Sequence, residues 1–493
     1  MGRPAAPPAT RLLSALVPLV ATLVAWWSLP DTYFFADDFV HLFDLVTLPL
    51  PRFLTQIWAG HLYLVRNTVF AGMYAVFGPD PRPWFWSVLL THALNVLLLH
   101  RLILRLTGDH LLACMGATVW GTTPALEGAL AWYSVYGQVL LTTLVCAMLW
   151  SLAGAIGTGR TVSTARALAW SALLAAGAAS FGTGLGIAAA FPLVVLLALE
   201  TRQRSVRAAA VVALTAAATF AIYAVLWNRT PDLDPRAREL MSSASIVAAI
   251  PSVLALAAAL LGFSASTLLV GPLDLDVGYP DATTLGAAAL VVAIGIAGWL
   301  AADPAGRRRL LWLAVLVVAA CTTIAAGRAT ILVSWQVSIA RSAGWPRYHY
   351  LLLALVTVLL CLALAALRAR GRAASALVTG GAAIWLVARL VVLVIQPHTI
   401  NHHEAERAET TRVVQMVRQA VAAAPPGGTV TIQNLHFGPA NLGRLFPGLA
   451  GVFVIMFPSN TMDGRAVRFV ARDGDDARAR ERGGRIAALL TPP

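Results

Sequence analysis

Two adjacent carboxylates, Asp37 and Asp38, are the residues whose types and spacing most directly suggest chemistry. They lie in the aromatic-rich run 33–41, just after the first hydrophobic segment, where the chain leaves a membrane. Neighbouring carboxylates repel each other, and apolar surroundings make their charges costly. The pair therefore predicts a site that removes a proton or holds a cation. The alternative is an ordinary solvated loop.

The composition identifies the class of protein that must position this pair. Of the 493 residues, 58% are hydrophobic and 12% are charged, and the mean hydropathy is +0.74. Apolar stretches of about 20 residues, the length of a helix that crosses a bilayer, recur along the chain. A soluble domain carries roughly twice this fraction of charged residues. The sequence predicts an all-α polytopic membrane protein.

The net charge of +13 comes from arginine, since the sequence contains no lysine. The arginines cluster in short connections between apolar segments, which is the positive-inside pattern. They therefore indicate membrane orientation and not nucleic-acid binding. The cysteines all lie within apolar segments without the spacing of a metal site or a disulfide framework. They are Cys114, Cys146, Cys321 and Cys361.

Hydropathy and arginine placement predict eleven membrane spans, with the N-terminus in the cytoplasm on a retained signal anchor and the C-terminus outside. The segment 246–270 is apolar enough to cross, but a crossing would move Arg307–Arg309 outside. We therefore expect it to lie on the outer surface, or to re-enter with a turn at Pro251 or Gly262. The predicted spans are 12–29, 84–104, 110–126, 136–156, 167–181, 185–199, 208–228, 284–302, 310–327, 348–367 and 374–395.

The chain divides into two predicted domains. Residues 1–396 form the transmembrane domain, in which 30–83 is a first outer loop with surface helices. Residues 397–493 form a small extracytoplasmic α/β domain with a charged, disordered tail. In it, 402–423 read as an amphipathic helix. Short β-like runs follow at Thr429–Ile432, Val452–Met456 and Ala466–Val470.

This topology gathers carboxylates, arginines and aromatic residues at the outer face. Such a set suits sugar transfer from a lipid phosphate to a hydroxyl group. A carboxylate takes the acceptor's proton, arginines hold the phosphate, and aromatic faces stack on the sugar and the isoprenoid chain. The candidate catalytic residues are Asp37 and Asp38. The candidate donor-binding residues are His41, His61, Arg66, Glu127, Tyr133, Tyr136, Gln138, Arg347, Tyr348 and His349.

The order of these motifs resembles the GT-C superfamily of polyprenyl-phosphate-sugar-dependent glycosyltransferases, in particular protein O-mannosyltransferases and their bacterial relatives. The resembling runs are 35–39, 60–67, 92–95, 124–138 and 347–350. The resemblance implies that Asp37 is the catalytic base, that Asp38 orients it or helps to hold a metal, and that Arg347 contacts the lipid phosphate. Two departures stand out: Asn67 replaces a proline, and the turn 180–184 lacks the Lys-Glu of relatives.

The resulting expectation is a multi-pass enzyme of the cytoplasmic membrane that transfers a hexose or pentose from a polyprenyl-phosphate donor. The acceptor would be an extracytoplasmic protein, lipid or glycan. No cofactor is certain, and a divalent metal at Asp38 stays open. The alternatives are a transporter or flippase for a lipid-linked substrate, and a non-catalytic assembly protein. A separate expectation is that His92 and Asn95 form interhelical hydrogen bonds.

Overall fold

The structure, a computed structural model, describes most of the membrane part and little of the C-terminal part. The described residues are 7–34, 37–58, 60–78, 80–158, 161–199, 206–229, 247–273, 279–334, 336–396, 400, 408, 419, 423, 429–433, 461–462 and 465–470. The expected helix 402–423, the β-like run Val452–Met456 and the charged tail lie almost entirely outside them.

Helices dominate the described residues. In chain order they are α1 Pro8–Ala25, α2 Asp37–Thr47, α3 Leu50–Thr55, α4 Leu64–Phe77, α5 Pro81–Thr107, α6 His110–Thr122, α7 Glu127–Leu130, α8 Tyr136–Thr158, α9 Thr164–Ala178, α10 Thr183–Ala198, α11 Val206–Arg229, α12 Ile250–Val270, α13 Ala282–Ala301, α14 Pro304–Ser334, α15 Ile339–Ala343, α16 Tyr350–Arg368 and α17 Arg372–Ile395. Two short strands, β1 Ile57–Trp58 and β2 His61–Leu62, pair antiparallel between α3 and α4.

Nine of the described helices are long and apolar enough to cross a bilayer: α1, α5, α8, α11, α12, α13, α14, α16 and α17. The predicted all-α polytopic membrane protein is therefore confirmed. The count of spans differs from the sequence-based one. Three expected spans, at 110–126, 167–181 and 185–199, are helices of 13, 15 and 16 residues. Those helices are shorter than the roughly 20 residues that match a bilayer core.

The segment around 250 also differs from expectation, because α12 runs unbroken through Gly262. The predicted turn at Gly262 is wrong. A Cβ at this glycine would lie 2.6 Å from the hydroxyl oxygen of Tyr279. The glycine therefore serves close packing against Tyr279, whose hydroxyl donates to the Ala259 carbonyl at 2.9 Å.

Local signals set the helix boundaries as expected from capping rules. Gly108, at φ 67°, ends α5 in the left-handed region that glycine adopts without strain. Asp109 then begins α6 by accepting from the backbone N–H groups of Leu111 and Leu112. The tight link holds α5 and α6 side by side, which fixes the position of the segment that follows α6.

The arginine-rich connections meet at one end of the helices. Arg309 donates to the Leu106 carbonyl at 3.0 Å, and Arg368 forms an ion pair with Asp109. Arg370 donates to the Ala301 carbonyl at 3.0 Å. We call this the arginine-rich end. It is the end that the positive-inside rule assigns to the cytoplasm.

A buried polar network fixes the helices to one another nearer the opposite end. The Tyr350 hydroxyl lies 2.6 Å from His92 Nδ1 and 3.2 Å from Asn95 Nδ2. His92 Nε2 lies 2.9 Å from the Gly121 carbonyl, which also accepts from the Trp26 indole at 2.8 Å. The predicted interhelical hydrogen bonds of His92 and Asn95 are therefore present. They join α5, α6 and α16 at the point where the segment 346–350 enters its helix.

In the C-terminal part, the described strands are β3 Thr429–Gln433, β4 Thr461–Met462 and β5 Arg465–Val470. β5 is central, parallel to β3 and antiparallel to β4. β3 and β5 coincide with two of the three β-like runs expected from the sequence. The division into domains at residue 396 stays a prediction.

Candidate active site

The structure separates the two adjacent carboxylates into different environments. Both lie in the first turn of α2, where the helix dipole favours negative charge. Successive helical residues point about 100° apart, because a turn contains 3.6 residues. Asp38 is completely buried, whereas Asp37 keeps partial exposure. Only Asp37 is therefore placed to meet a molecule from outside.

Opposing effects act on the ionisation of Asp37. Burial raises the pKa of its carboxyl group above the usual value, and the positive charges of Arg347, Arg66 and Arg328 oppose that rise. A carboxylate with a raised pKa is a better proton acceptor than an ordinary surface aspartate. The three arginines come from distant parts of the chain, and each favours the ionised form of the same carboxyl group.

Asp38 is engaged by Ser134, which lies in the connection between α7 and α8. Its Oδ1 atom accepts from the Ser134 backbone N–H at 2.6 Å and from the Ser134 hydroxyl at 2.7 Å. The Ser134 carbonyl in turn accepts from Arg66 at 3.0 Å. Asp38, Ser134 and Arg66 therefore join two segments that are expected at the outer face, 30–83 and 124–138.

Arg66 is buried within this arrangement. Its guanidinium lies 3.8 Å from the ring centroid of Tyr63, and it also donates to Asn67 Oδ1. Asn67 donates onward to the Phe53 carbonyl at 2.7 Å. Burial lowers the pKa of Arg66 to about 10, so it is still charged at neutral pH. Asn67 therefore orients the guanidinium.

His61 connects the first outer loop to the turn between α9 and α10 and to α14. The Gly182 backbone N–H donates to its Nδ1 at 3.0 Å, and Arg328 Nη2 lies 2.9 Å from its Nε2. The ring stacks on Phe181 with centroids 4.2 Å apart. Burial and the nearby charges of Arg328, Arg66 and Arg347 hold the pKa of His61 well below its usual value.

Both ring nitrogens of His61 face hydrogen-bond donors, the Gly182 N–H and the Arg328 guanidinium. A neutral imidazole accepts at only one nitrogen, because the other carries its proton. One donor at His61 is therefore left without an acceptor, which an anion such as phosphate beside the pair could supply.

Arg347 lies among aromatic rings at the start of the 346–348 turn. Its guanidinium is 4.5 Å from the ring centroid of Trp345, 5.2 Å from that of Tyr348 and 5.5 Å from that of Trp132. It donates to the Tyr348 hydroxyl at 3.4 Å. Stacked guanidinium groups keep their N–H groups directed outward, toward a carboxylate or a phosphate.

The segment that carries Arg347 is held in place by its neighbours. A Cβ at Gly128 would lie 2.8 Å from the Arg347 backbone nitrogen, so only glycine lets α7 approach this closely. His349 is buried, with Nδ1 2.9 Å from Ser264 Oγ and Nε2 2.6 Å from the Ala343 carbonyl. Burial lowers the pKa of His349 to about 4. Both of its ring nitrogens are used within the protein.

The remaining expected site residues are mostly buried around these groups. Tyr133 packs against Phe70 and Trp84, and the Tyr136 hydroxyl lies 2.7 Å from Thr91 Oγ1. Glu127 is almost fully buried as the first residue of α7. These contacts describe packing beside the site, and a donor-binding role for Tyr133, Tyr136 and Glu127 stays a prediction.

Two of the expected site residues, Gln138 and His41, have buried hydrogen-bonding atoms that are unused. Gln138 Oε1 and both ring nitrogens of His41 have no hydrogen-bond partner within the described part of the chain. His41 lies one turn after Asp37 and is enclosed by Trp58, Tyr63 and Phe70. Burial holds the pKa of His41 well below its usual value, with Arg66 adding to the effect. His41 is therefore neutral at physiological pH.

The described part of the chain offers no set of metal ligands around Asp38. The Oδ1 atom of Asp38 is occupied by two hydrogen bonds from Ser134. Among the residues that the structure describes, no group of three or more His, Cys, Asp or Glu lies close enough to hold a metal ion. No step of the proposed reaction is therefore derived through a metal.

A groove open to the surroundings lies between α4 and the start of α5. Its volume is about 450 Å³. Its walls are Met73, Phe77, Asp80, Arg82, Pro83, Trp86, Ser87 and Leu90. The Ser87 hydroxyl lies 3.5 Å from the Tyr133 hydroxyl, beside Ser134. Neither Asp37 nor Arg347 lines this groove.

Sequence reasoning missed Arg328, Ser134 and Gly182. Arg328 had a usable signal, because an arginine just beyond the outer end of a predicted span contradicts the positive-inside pattern and requires a local reason. Ser134 and Gly182 had none, since serine and glycine are common in every connection. Their roles come from contacts with residues more than 90 positions away.

No protein-family model matches the sequence, and no curated protein matches it. Among solved structures, the chain is similar to ArnT from Cupriavidus metallidurans bound to undecaprenyl phosphate. The identity is 12%, the match covers 99% of this chain and 90% of that one, and the TM-score is 0.50. This similarity shows the fold and nothing further.

Two structures of an oligosaccharyltransferase from Archaeoglobus fulgidus also match. One, in complex with zinc and sulfate, has 12% identity, coverage of 98% of this chain and 66% of that one, and a TM-score of 0.46. The other, AglB with an inhibitory peptide and a dolichol phosphate, has 13% identity, coverage of 98% and 68%, and a TM-score of 0.44. The fold assignment rests on the ArnT match. The chain is a multi-pass membrane protein with a GT-C-like fold.

Proposed function

We propose that this protein is an integral-membrane glycosyltransferase. It moves a hexose or pentose from a polyprenyl-phosphate donor to a hydroxyl group of a protein, lipid or glycan on the outer side of the cytoplasmic membrane. The observation that carries the proposal is one partly exposed carboxylate, Asp37, whose ionised form is favoured by three arginines, Arg347, Arg66 and Arg328. The GT-C-like fold supports it.

In the proposed reaction, Asp37 accepts the proton of the acceptor hydroxyl group as that oxygen attacks the sugar's anomeric carbon. The bond from this carbon to the phosphate oxygen breaks, and its electron pair leaves with the polyprenyl phosphate. General-base catalysis is worth about 10²–10⁴-fold. Charge stabilisation on the leaving phosphate must supply much of the rest.

Arg347 and Arg328 are the proposed phosphate ligands, with the His61 ring beside Arg328. Both arginines are partly exposed, whereas Arg66 is buried. The two donors around the His61 ring, of which a neutral imidazole can accept only one, support an anion at this point. His349 is not included, because both of its ring nitrogens are used within the protein.

The groove beside α4 is the proposed place for the first part of the prenyl chain. Its walls are mainly apolar, and Phe77 and Leu90 are exposed where a bilayer would surround the helices. A prenyl chain in the groove would cover apolar surface, at about 25 cal/mol for each Å² removed from water. Ser87 at its edge contacts Tyr133, next to the site.

The test compares Asp37→Asn with Asp44→Asn, the same change two turns later on α2. Asp44 accepts from Gln56 Nε2 at 3.1 Å, and an asparagine oxygen can also accept. Purified protein in nanodiscs receives decaprenyl-phosphate-linked mannose, glucose and arabinose in turn, with cell-envelope extract as acceptor. We expect release of decaprenyl phosphate to fall at least 10²-fold in Asp37→Asn, and to persist in Asp44→Asn. Wild-type release by Asp37→Asn would remove Asp37 from the mechanism.

A further inference from the structure

Asp38 accepts two hydrogen bonds from Ser134. The backbone N–H and the hydroxyl of Ser134 both reach its Oδ1 atom, at 2.6 and 2.7 Å, in a fully buried setting. Hydrogen bonds to an ionised acceptor are roughly twice as strong as neutral ones. Asp38 therefore fixes the backbone of the connection between α7 and α8 at this point.

The same serine fixes Arg66 through its carbonyl group. Arg66 Nη1 donates to that carbonyl at 3.0 Å, while its Nε and Nη2 atoms are held by Asn67 and its face by the Tyr63 ring. Asn67 is in turn held by the Phe53 carbonyl. The guanidinium is thus restrained from several directions and shielded from solvent.

We propose that Asp38 and Ser134 are positioning residues that hold Arg66 as a fixed positive charge beside the catalytic base, and that Arg66 does not bind the donor phosphate. The proposal rests on the proposed function, since it needs Asp37 as the base. It gives the two adjacent aspartates different roles: Asp37 exchanges a proton with substrate, and Asp38 does not. The electrostatic effect of Arg66 on Asp37, which favours the ionised carboxylate, agrees with it.

Conservative and non-conservative replacements of Asp38 distinguish positioning from direct chemistry. An asparagine oxygen still accepts both hydrogen bonds from Ser134, whereas alanine accepts neither. We expect Asp38→Asn to keep a tenth or more of the wild-type kcat/KM. We expect Asp38→Ala to lose about 10²-fold, which is the cost of misplacing a group at a catalytic site by about 1 Å.

The pH profile supplies a readout that a merely structural role would not move. If Asp38→Ala releases Arg66, the Asp37 carboxyl group loses a positive neighbour and its pKa rises. Both replacements remove the negative charge of Asp38, so they are compared with each other: we expect the acid limb of kcat/KM at higher pH in Asp38→Ala than in Asp38→Asn. Ser134→Ala, which removes one of the two hydrogen bonds, should give a smaller shift in the same direction. Ser134→Ala also provides the test if the Asp38→Ala protein does not fold.

Two results would overturn the inference. One is a collapse of transfer in Asp38→Asn as complete as in Asp37→Asn, which would make Asp38 itself a base or a ligand. The other is an acid limb in Asp38→Ala that coincides with that of Asp38→Asn, together with an unmoved limb in Ser134→Ala. Failure of the proposed function looks different, because Asp37→Asn would then keep its activity whatever Asp38 does.

Discussion

Gly182 is the position at which one added methyl group should disturb the proposed phosphate site most. An alanine Cβ there would lie 2.3 Å from His61 Nδ1 and 3.0 Å from its Cε1 atom. Ordinary contacts begin near 3.4 Å, so the ring or the turn must move by about 1 Å. The ring has little room to retreat, because it stacks on Phe181 and faces Arg328.

The expected cost of Gly182→Ala follows from this displacement. A 1 Å error in the position of a group at a catalytic site costs about 10²-fold in rate, or about 2.7 kcal/mol of transition-state stabilisation. The assay measures kcat/KM for release of decaprenyl phosphate from its sugar-linked form, together with the Kd of decaprenyl phosphate itself. Both should worsen, because His61 is proposed to contact the phosphate in the donor and in the product.

Gly286→Ala is the matched control. Gly286 lies in α13, and a Cβ there would meet nothing within 4 Å. Exchange of glycine for alanine within a helix is favourable by up to about 1 kcal/mol, so we expect activity to persist. The reasoning would be refuted if Gly182→Ala stayed within twofold of the wild type, or if Gly286→Ala lost as much activity.

Two further predictions concern the charge and the lipid chain. Arg347→Gln should move the acid limb of kcat/KM to higher pH. Arg347 lowers the pKa of Asp37, so without this arginine the carboxylate is protonated at a higher pH. A pH–rate profile in which the acid limb stays in place while the maximal rate falls would contradict this prediction. Leu90→Trp should fill the groove beside α4 and raise the KM for a decaprenyl donor at least fivefold, with little effect on a donor whose chain is too short to reach it. The control is Leu94→Trp, because Leu94 lies one turn further along α5 and is not part of the groove wall. Equal effects of the two variants on KM would argue against binding of the prenyl chain in the groove.

Much of the fold follows from the sequence, because apolar length alone places most of the long helices. The Asp37–Asp38 pair was also informative, since paired carboxylates at a membrane surface need a reason to be there. The segment 246–270 shows the limit of this approach. The charge rule for Arg307–Arg309 favours a surface segment or a re-entrant one with a turn at Pro251 or Gly262, whereas α12 runs unbroken through Gly262, where the glycine serves packing.

The fine structure of the site depended on contacts that no local pattern encodes. The sequence could not separate Asp37 from Asp38, because their difference arises from the direction each takes on the first turn of α2 and from Ser134. Arg328 meets His61 across 267 positions of the chain. Such pairings depend on how helices pack, which periodicity and composition do not specify.

The most direct test of the central claim is the position of the lipid phosphate in a cryo-EM structure of the protein in nanodiscs with decaprenyl phosphate. We predict the phosphate within hydrogen-bond distance of Arg347 and of Arg328 or His61, with the Asp37 carboxylate facing the open side. A phosphate bound at the arginine-rich end, beside Arg309 and Arg368, would contradict the account.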